Sequence, residues 1–396
     1  MSQQTLQERI KSLENFQKLD PNNLDLARDL AQCYRDTGEL DKARHTLQML
    51  LDQQPDNPVL LNEMATLEID AKNWDNARQF IDQALDIDPQ APALLFNRGF
   101  IDLCQTHFTE AKSFLQSATE LDESNGQFFY YLGLCEDQLG DSDAALKALN
   151  QAFDLDSEQL EAMEISAYIH LERGSLTDAM GCTAKILDQD RQNVAALCLD
   201  AQVALLSFNT DTAIHLAEKA IAYEPDNPEA HLTLGYALMM IDDNTAAQTE
   251  FEKVLQLDEQ NRMAVFSMGW LAVKRLDVDD AFTRFSELHQ TEPDDENAMS
   301  GLAFVYLMKN DHEECQRLLT ELSASDPENT LGFIVKSSLK NIEQDKMPSE
   351  AQAKELLAKI PFAPFDWTMA DVLRAYVDSP AGKQIKELLK RHQRLH

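Results

Sequence analysis

The sequence predicts an all-α chain, a solenoid of nine consecutive helix-turn-helix units, and three observations carry that prediction. A small residue returns every 34 residues: Ala43, Ala77, Ala111, Ala145, Ala179, Ala213, Ala247, Ala281 and then Cys315, with no insertion between them. With units numbered from Leu24, Pro58, Pro92, Gly126, Leu160, Val194, Pro228, Arg262 and Glu296, this series is position 20. Position 8 is then Ala or Gly in all nine units, from Ala31 and Ala65 to Gly269 and Ala303. Position 32 is Pro in five of them: Pro55, Pro89, Pro225, Pro293 and Pro327.

Each element has a physical reason. Residues 3–19 read as one amphipathic helix, with Leu6, Ile10, Leu13, Phe16 and Leu19 on one side. Residues 1–23 are therefore an N-terminal capping element. The nine units follow as 24–57, 58–91, 92–125, 126–159, 160–193, 194–227, 228–261, 262–295 and 296–329. Small residues at positions 8 and 20 let the two helices of a unit cross closely. Pro at position 32 ends the second helix, because it lacks an N–H and clashes with the preceding turn. The Asp and Asn beside it, as in DQQPDNP and YEPDNPE, cap and turn the chain. A single unit cannot bury its apolar face, so stacking supplies the core. Residues 330–396 read as a helical cap, with a Pro- and aromatic-rich connector at 360–367 and a basic last helix.

The pattern resembles the tetratricopeptide repeat, W-x2-L-G-x2-Y followed by A-x3-F and then P. The first unit carries it in Leu30-Ala31, Tyr34, Ala43, Leu47 and Pro55, and the seventh in Leu234-Gly235, Ala247 and Phe251. Arg98, Ser166 and Asp200 depart from it at position 7. The resemblance implies a right-handed α-α superhelix whose first helices line a concave face, with positions 2, 5, 6, 9, 12 and 13 turned into it. Those positions are polar in the first two units (Asp25, Arg28, Asp29, Asn62 and Glu63 among them). From the third unit they turn apolar and aromatic: Phe96 and Phe100, then Tyr130, Tyr131 and Leu134, then Tyr168 and Leu205. Leu232, Tyr236, Met239 and Met240 continue the series, followed by Met263, Phe266 and Trp270, and by Phe304 and Leu307.

A solvent-facing surface does not normally carry so long a stripe. The expectation is a groove that holds an apolar or amphipathic segment of a partner protein, as an adaptor or chaperone-like holder, with Met and Tyr supplying adaptable contacts. The competing reading is that these residues are core between neighbouring units. The family's carboxylate clamp needs Lys and Asn at set positions of successive units. Here unit one has Arg28 and Gln32, unit two Glu63 and unit three Ala93 and Asn97, so that ligand mode is not expected.

Charge and cysteine usage narrow the function further. The net charge is −35, yet residues 330–396 hold 11 Lys and Arg against 8 Asp and Glu. Residues 1–329 are accordingly strongly acidic, which disfavours nucleic acid and favours a basic partner. The alternative function is thus a structural scaffold or assembly factor acting through an acidic convex surface or self-association. An intramolecular contact between the array and the basic tail (Lys383, Lys386, Lys390, Arg391, Arg394) is a further expectation. No apolar run reaches the roughly 20 residues of a membrane span, and the first residues lack a secretory h-region. Six scattered cysteines with no CxxC pair suit a reducing, cytoplasmic setting. No phosphate-binding, metalloprotease or nucleophile-elbow motif is present. His392 with His396, and His312 with Cys315, have helical metal-binding spacing, but ordinary helix residues explain both pairs. No enzyme activity, cofactor or metal is expected.

Overall fold

The computed structural model describes residues 3–20, 23–309 and 311–325. The C-terminal cap expected over 330–396, with its basic helix and its pair His392 and His396, lies outside them. All nineteen regular elements among the described residues are α-helices. The described residues divide into two compact parts, with the boundary between Ser166 and Ala167.

In the first part, α1 (Gln3–Leu19) precedes the helix pairs α2 (Leu24–Asp36) with α3 (Leu40–Gln53) and α4 (Pro58–Asp70) with α5 (Trp74–Ile87). The pairs α6 (Pro92–Cys104) with α7 (Phe108–Leu121) and α8 (Gly126–Gln138) with α9 (Ser142–Leu155) follow. Helix α10 (Leu160–Glu172) begins in this part and ends in the second. The second part continues with α11 (Leu176–Gln189), then α12 (Val194–Leu206) with α13 (Thr210–Tyr223) and α14 (Pro228–Met240) with α15 (Asn244–Leu257). It closes with α16 (Arg262–Lys274) paired with α17 (Val278–Thr291), and α18 (Glu296–Met308) paired with α19 (His312–Ser325). Among the described residues no helix is long and apolar enough to cross a membrane.

Local chemistry fixes the boundaries. The side chains of Asn23, Asn57, Asn125, Asn193, Asn227, Asn261 and Asp295 each accept a hydrogen bond from a backbone N–H in the first turn of the following helix. Helices α3, α5, α13 and α17 stop two residues before Pro55, Pro89, Pro225 and Pro293. Between the two helices of a unit, position 15 takes the left-handed conformation. It is Gly38, Gly140 and Gly174 in three units, but Lys72, Thr106, Phe208, Asp242 and Leu276 in five others. An L residue there is strained by about 1–2 kcal/mol.

The close crossing at position 8 is matched by volume at position 24. A Cβ on Gly99 would lie 2.7 Å from Leu115 Cγ, and one on Gly133 would lie 2.7 Å from Leu149 Cγ. A Cβ on Gly235 would lie 2.5 Å from Phe251 Cε1, and one on Gly269 would lie 2.7 Å from Phe285 Cε1. Units with Ala at position 8 carry Leu, Ile, Thr or Ala at position 24 and never Phe. Phe285 is enclosed from a second side, since a Cβ on Gly301 would lie 2.6 Å from its Cδ1.

The departures at position 7 are satisfied locally. Arg98 pairs with Asp102 and, at 2.8 Å, with Asp82. Ser166 Oγ donates to the Ala162 carbonyl at 2.7 Å, and Thr183 donates to Asp200. Of the amphipathic stripe in α1, Ile10 is buried and Leu13 packs against the same core, while Phe16 and Leu19 are exposed. Tyr34 on α2 donates to Glu14 of α1 at 2.7 Å, and burial together with that carboxylate pushes its hydroxyl well above the usual tyrosine range.

Candidate functional site

The first helices of the first part present two kinds of surface. Across α2 and α4 the charges are spent on one another. Arg28 Nε donates to Glu63 at 3.0 Å, and Arg35 pairs with Asp70 at 2.6 Å. Asn97 of α6 donates to Asn62 of α4 at 2.7 Å. Across α6 and α8 the surface becomes aromatic. The Phe96 and Phe128 rings stack at 4.8 Å, Phe96 meets Tyr131 at 5.4 Å, and Phe100 meets Tyr131 edge-on at 5.1 Å. Tyr130 meets Tyr131 at 5.2 Å. Phe96 and Tyr131 pack against a core of Ala111, Leu115, Leu132 and Cys135 but are themselves only half-buried. Phe100, Tyr130 and Leu134 are half-buried as well. These five side chains are thus anchored on one side and open on the other, as a docking face requires.

Electrostatics sharpen this patch. Burial, then Tyr131, Glu161 and Glu164, raise the Tyr130 hydroxyl above its ordinary value, and burial raises Tyr131. Asp137 follows Tyr130 and Leu134 at helical spacing on α8, and burial alone lifts its carboxyl above the ordinary range. The carboxylate has no hydrogen-bond or ion-pair partner among the described residues, although the backbone carbonyl accepts from Gly140 N–H.

In the second part the expected groove residues divide. Tyr168, Leu232, Met263, Phe266 and Phe304 are half-buried and Met240 is exposed. Leu205, Tyr236, Met239, Trp270 and Leu307 were expected on the open face but are buried. Tyr236 and Trp270 are each 3% exposed. The reason is contact between successive units. Trp270 sits 5.4 Å from Phe285 and 5.6 Å from Phe304. Tyr236 sits 5.4 Å from Phe251, and Ser267 Oγ donates to its hydroxyl at 3.3 Å. These five side chains pack within the stack, and the others remain at least partly exposed. Tyr168, at the start of this part, donates to Glu229 at 2.6 Å.

One ordered feature was not expected. Position 11 is acidic and buried in three successive units, Glu68, Asp102 and Glu136, and each faces a base at position 21 of the unit before. Arg44 Nε meets Glu68 at 2.6 Å, Arg78 meets Asp102 at 2.7 Å and Lys112 meets Glu136 at 2.8 Å. Burial opposes the ionised form of Glu68, but Arg44 and Asn73 outweigh it and hold the carboxyl below its ordinary value. The 34-residue spacing of these acids and bases was visible in the sequence. Of the pair His312 and Cys315, Cys315 is core, and burial pushes its thiol up to about 11.

Tetratricopeptide-repeat models match residues 3–67, 204–265 and 272–336, and a second such model matches 136–193. The chain belongs to the tetratricopeptide-repeat family. A tetratricopeptide repeat protein from Parabacteroides merdae is similar at 20% identity and a TM-score of 0.55, covering 63% of this chain and 98% of its own. Yeast Tom70 is similar at 14% identity and a TM-score of 0.50, covering 89% of this chain and 96% of its own. These likenesses concern the fold. No curated protein matches the chain significantly by sequence.

Proposed function

We propose that this tetratricopeptide-repeat chain is a protein-interaction module that holds an amphipathic segment of a partner on the open face of its first helices. The observation that carries the proposal is the half-buried patch of Phe96, Phe100, Tyr130, Tyr131 and Leu134, whose rings contact one another while remaining open on one side. Aromatic side chains of this kind bury large area at low entropic cost. About 1,000 Å² of apolar burial there would give on the order of 25 kcal/mol gross, most of it offset by association and ordering. A cytoplasmic setting is part of the same proposal and rests on cysteine usage.

The test uses substitutions that spare the core. Phe100→Ser combined with Tyr130→Ser should remove the partners that wild type retains in a pull-down, while far-UV circular dichroism and the urea midpoint stay close to wild type, because neither side chain packs on the buried cluster of Ala111, Leu115, Leu132 and Cys135. Replacing Tyr236 or Trp270 would be a poor test, because both are buried and their loss would destabilise the stack itself. Recovery of the same partners by the double variant would reject the proposal.

A further inference from the structure

We infer that the partner segment held on α6 and α8 is cationic as well as apolar, and that it places a Lys or Arg side chain against Asp137 while its apolar face meets Leu134 and the Tyr130 ring. The inference rests on the docking face just proposed and names the chemistry of its occupant. Charge complementarity supports it. The outward positions of α6, α8 and the first turns of α10 hold Asp137, Glu161 and Glu164, and no Lys or Arg. On α2 and α4, by contrast, Arg28 and Arg35 already neutralise Glu63 and Asp70. Asp25 on α2 is also without an ion pair but lies exposed to water, whereas Asp137 beside the aromatic patch is a half-buried carboxylate left unanswered among the described residues.

Asp137 is the decisive residue. It is half-buried, its carboxylate has no partner among the described residues, and desolvation disfavours the ionised form. An incoming ammonium or guanidinium would relieve that cost. Tyr130, Leu134 and Asp137 recur at i, i+4 and i+7 on α8 and so form one stripe roughly 10 Å long, on which the segment's apolar side chains meet the ring and Leu134 and its cation meets the carboxylate. Glu161 and Glu164 act on the Tyr130 hydroxyl and add to the negative potential there. Aromatic faces attract cations, and more strongly when water is excluded. The aliphatic stem of Lys or Arg covers apolar surface while its charged end reaches the carboxylate.

The test measures fluorescence anisotropy of three labelled amphipathic helical peptides on the full chain. All three carry Leu on one face, and the other face carries Lys, Gln or Glu. The Lys peptide should bind tightest. Asp137→Asn should weaken it about tenfold, the scale of one charge-assisted contact, while leaving the Gln peptide within about twofold. Asp137→Glu should retain most of the affinity. Glu120→Gln, an exposed change on α7, should alter neither peptide, which separates the local contact from the overall acidity of the chain. Equal binding of the Lys and Gln peptides, or equal effects of Asp137→Asn and Glu120→Gln, overturns the inference while the docking face stands. If neither the Lys nor the Gln peptide binds, the docking face itself is refuted, and the inference falls with it.

Discussion

Replacing Gly235 with Ala tests the packing rule of the repeat directly. The new Cβ would sit 2.5 Å from Cε1, 2.8 Å from Cζ and 3.0 Å from Cδ1 of Phe251. That ring is fully buried and lies against Tyr236 at 5.4 Å, so it cannot retreat without moving a second aromatic. Overpacking of this kind costs about 1–3 kcal/mol, against a gain of about 1 kcal/mol from the helix propensity of Ala over Gly. The expected outcome is a net loss of up to about 2 kcal/mol, read as a lower urea midpoint by circular dichroism. Phe251→Leu alone should cost about 1 kcal/mol through the space it leaves. The double variant recreates the Ala and Leu combination of Ala31 with Leu47, and it should lose less than the two singles together by about 1 kcal/mol. The reasoning is refuted if Gly235→Ala is more stable than wild type, or if the double variant loses the full sum.

Further outcomes follow from the same geometry. Leu276 holds φ 61° and is 67% exposed, so Leu276→Gly should raise the thermal midpoint, with a gain of up to about 1 kcal/mol after the unfolded-state entropy of Gly is counted. Glu68→Gln should cost about 1–3 kcal/mol at neutral pH, because it breaks a buried pair and leaves Arg44 only the exposed Asp41 as an ionic partner. Its sign with pH is fixed by the lowered carboxyl. The pairing contributes fully above the unfolded value of about 4.3 and is lost as pH falls through the lower folded value, so the variant should show a shallower acid-side loss than wild type. If the partner is held by apolar burial with one local charge contact, raising salt should weaken it modestly. A steep salt dependence in a titration would instead favour binding through the broad acidic surface.

The helical register was legible because it is repetitive. Ala43 to Cys315 and the position 8 series each mark one close helix crossing, and backbone approach tolerates few residue types. Proline and Asn punctuation was equally readable, since Pro acts through a missing N–H and a local clash and Asn through a local hydrogen bond. The surface was harder to read. Positions 9 and 12 share a helix face with position 5, so periodicity alone could not separate Phe266, which is half-buried, from Trp270, which is buried. That distinction depends on what the next unit brings, here Phe304 against Trp270. The buried ladder of Glu68, Asp102 and Glu136 was written in the spacing, but abundant acidic residues elsewhere masked it. The partnerless state of Asp137 belongs to the packed structure alone.

The central claim is that the open aromatic face of the first helices, and not the second-helix surface, receives the partner. Site-specific photo-crosslinking tests it most directly, with a benzophenone side chain placed at Phe100 in one variant and at exposed Leu121, the last residue of α7, in another. The account predicts crosslinks from position 100 to a basic amphipathic segment, mapped by mass spectrometry, and none to that segment from position 121. Crosslinks to the same segment from position 121, with none from position 100, would contradict it.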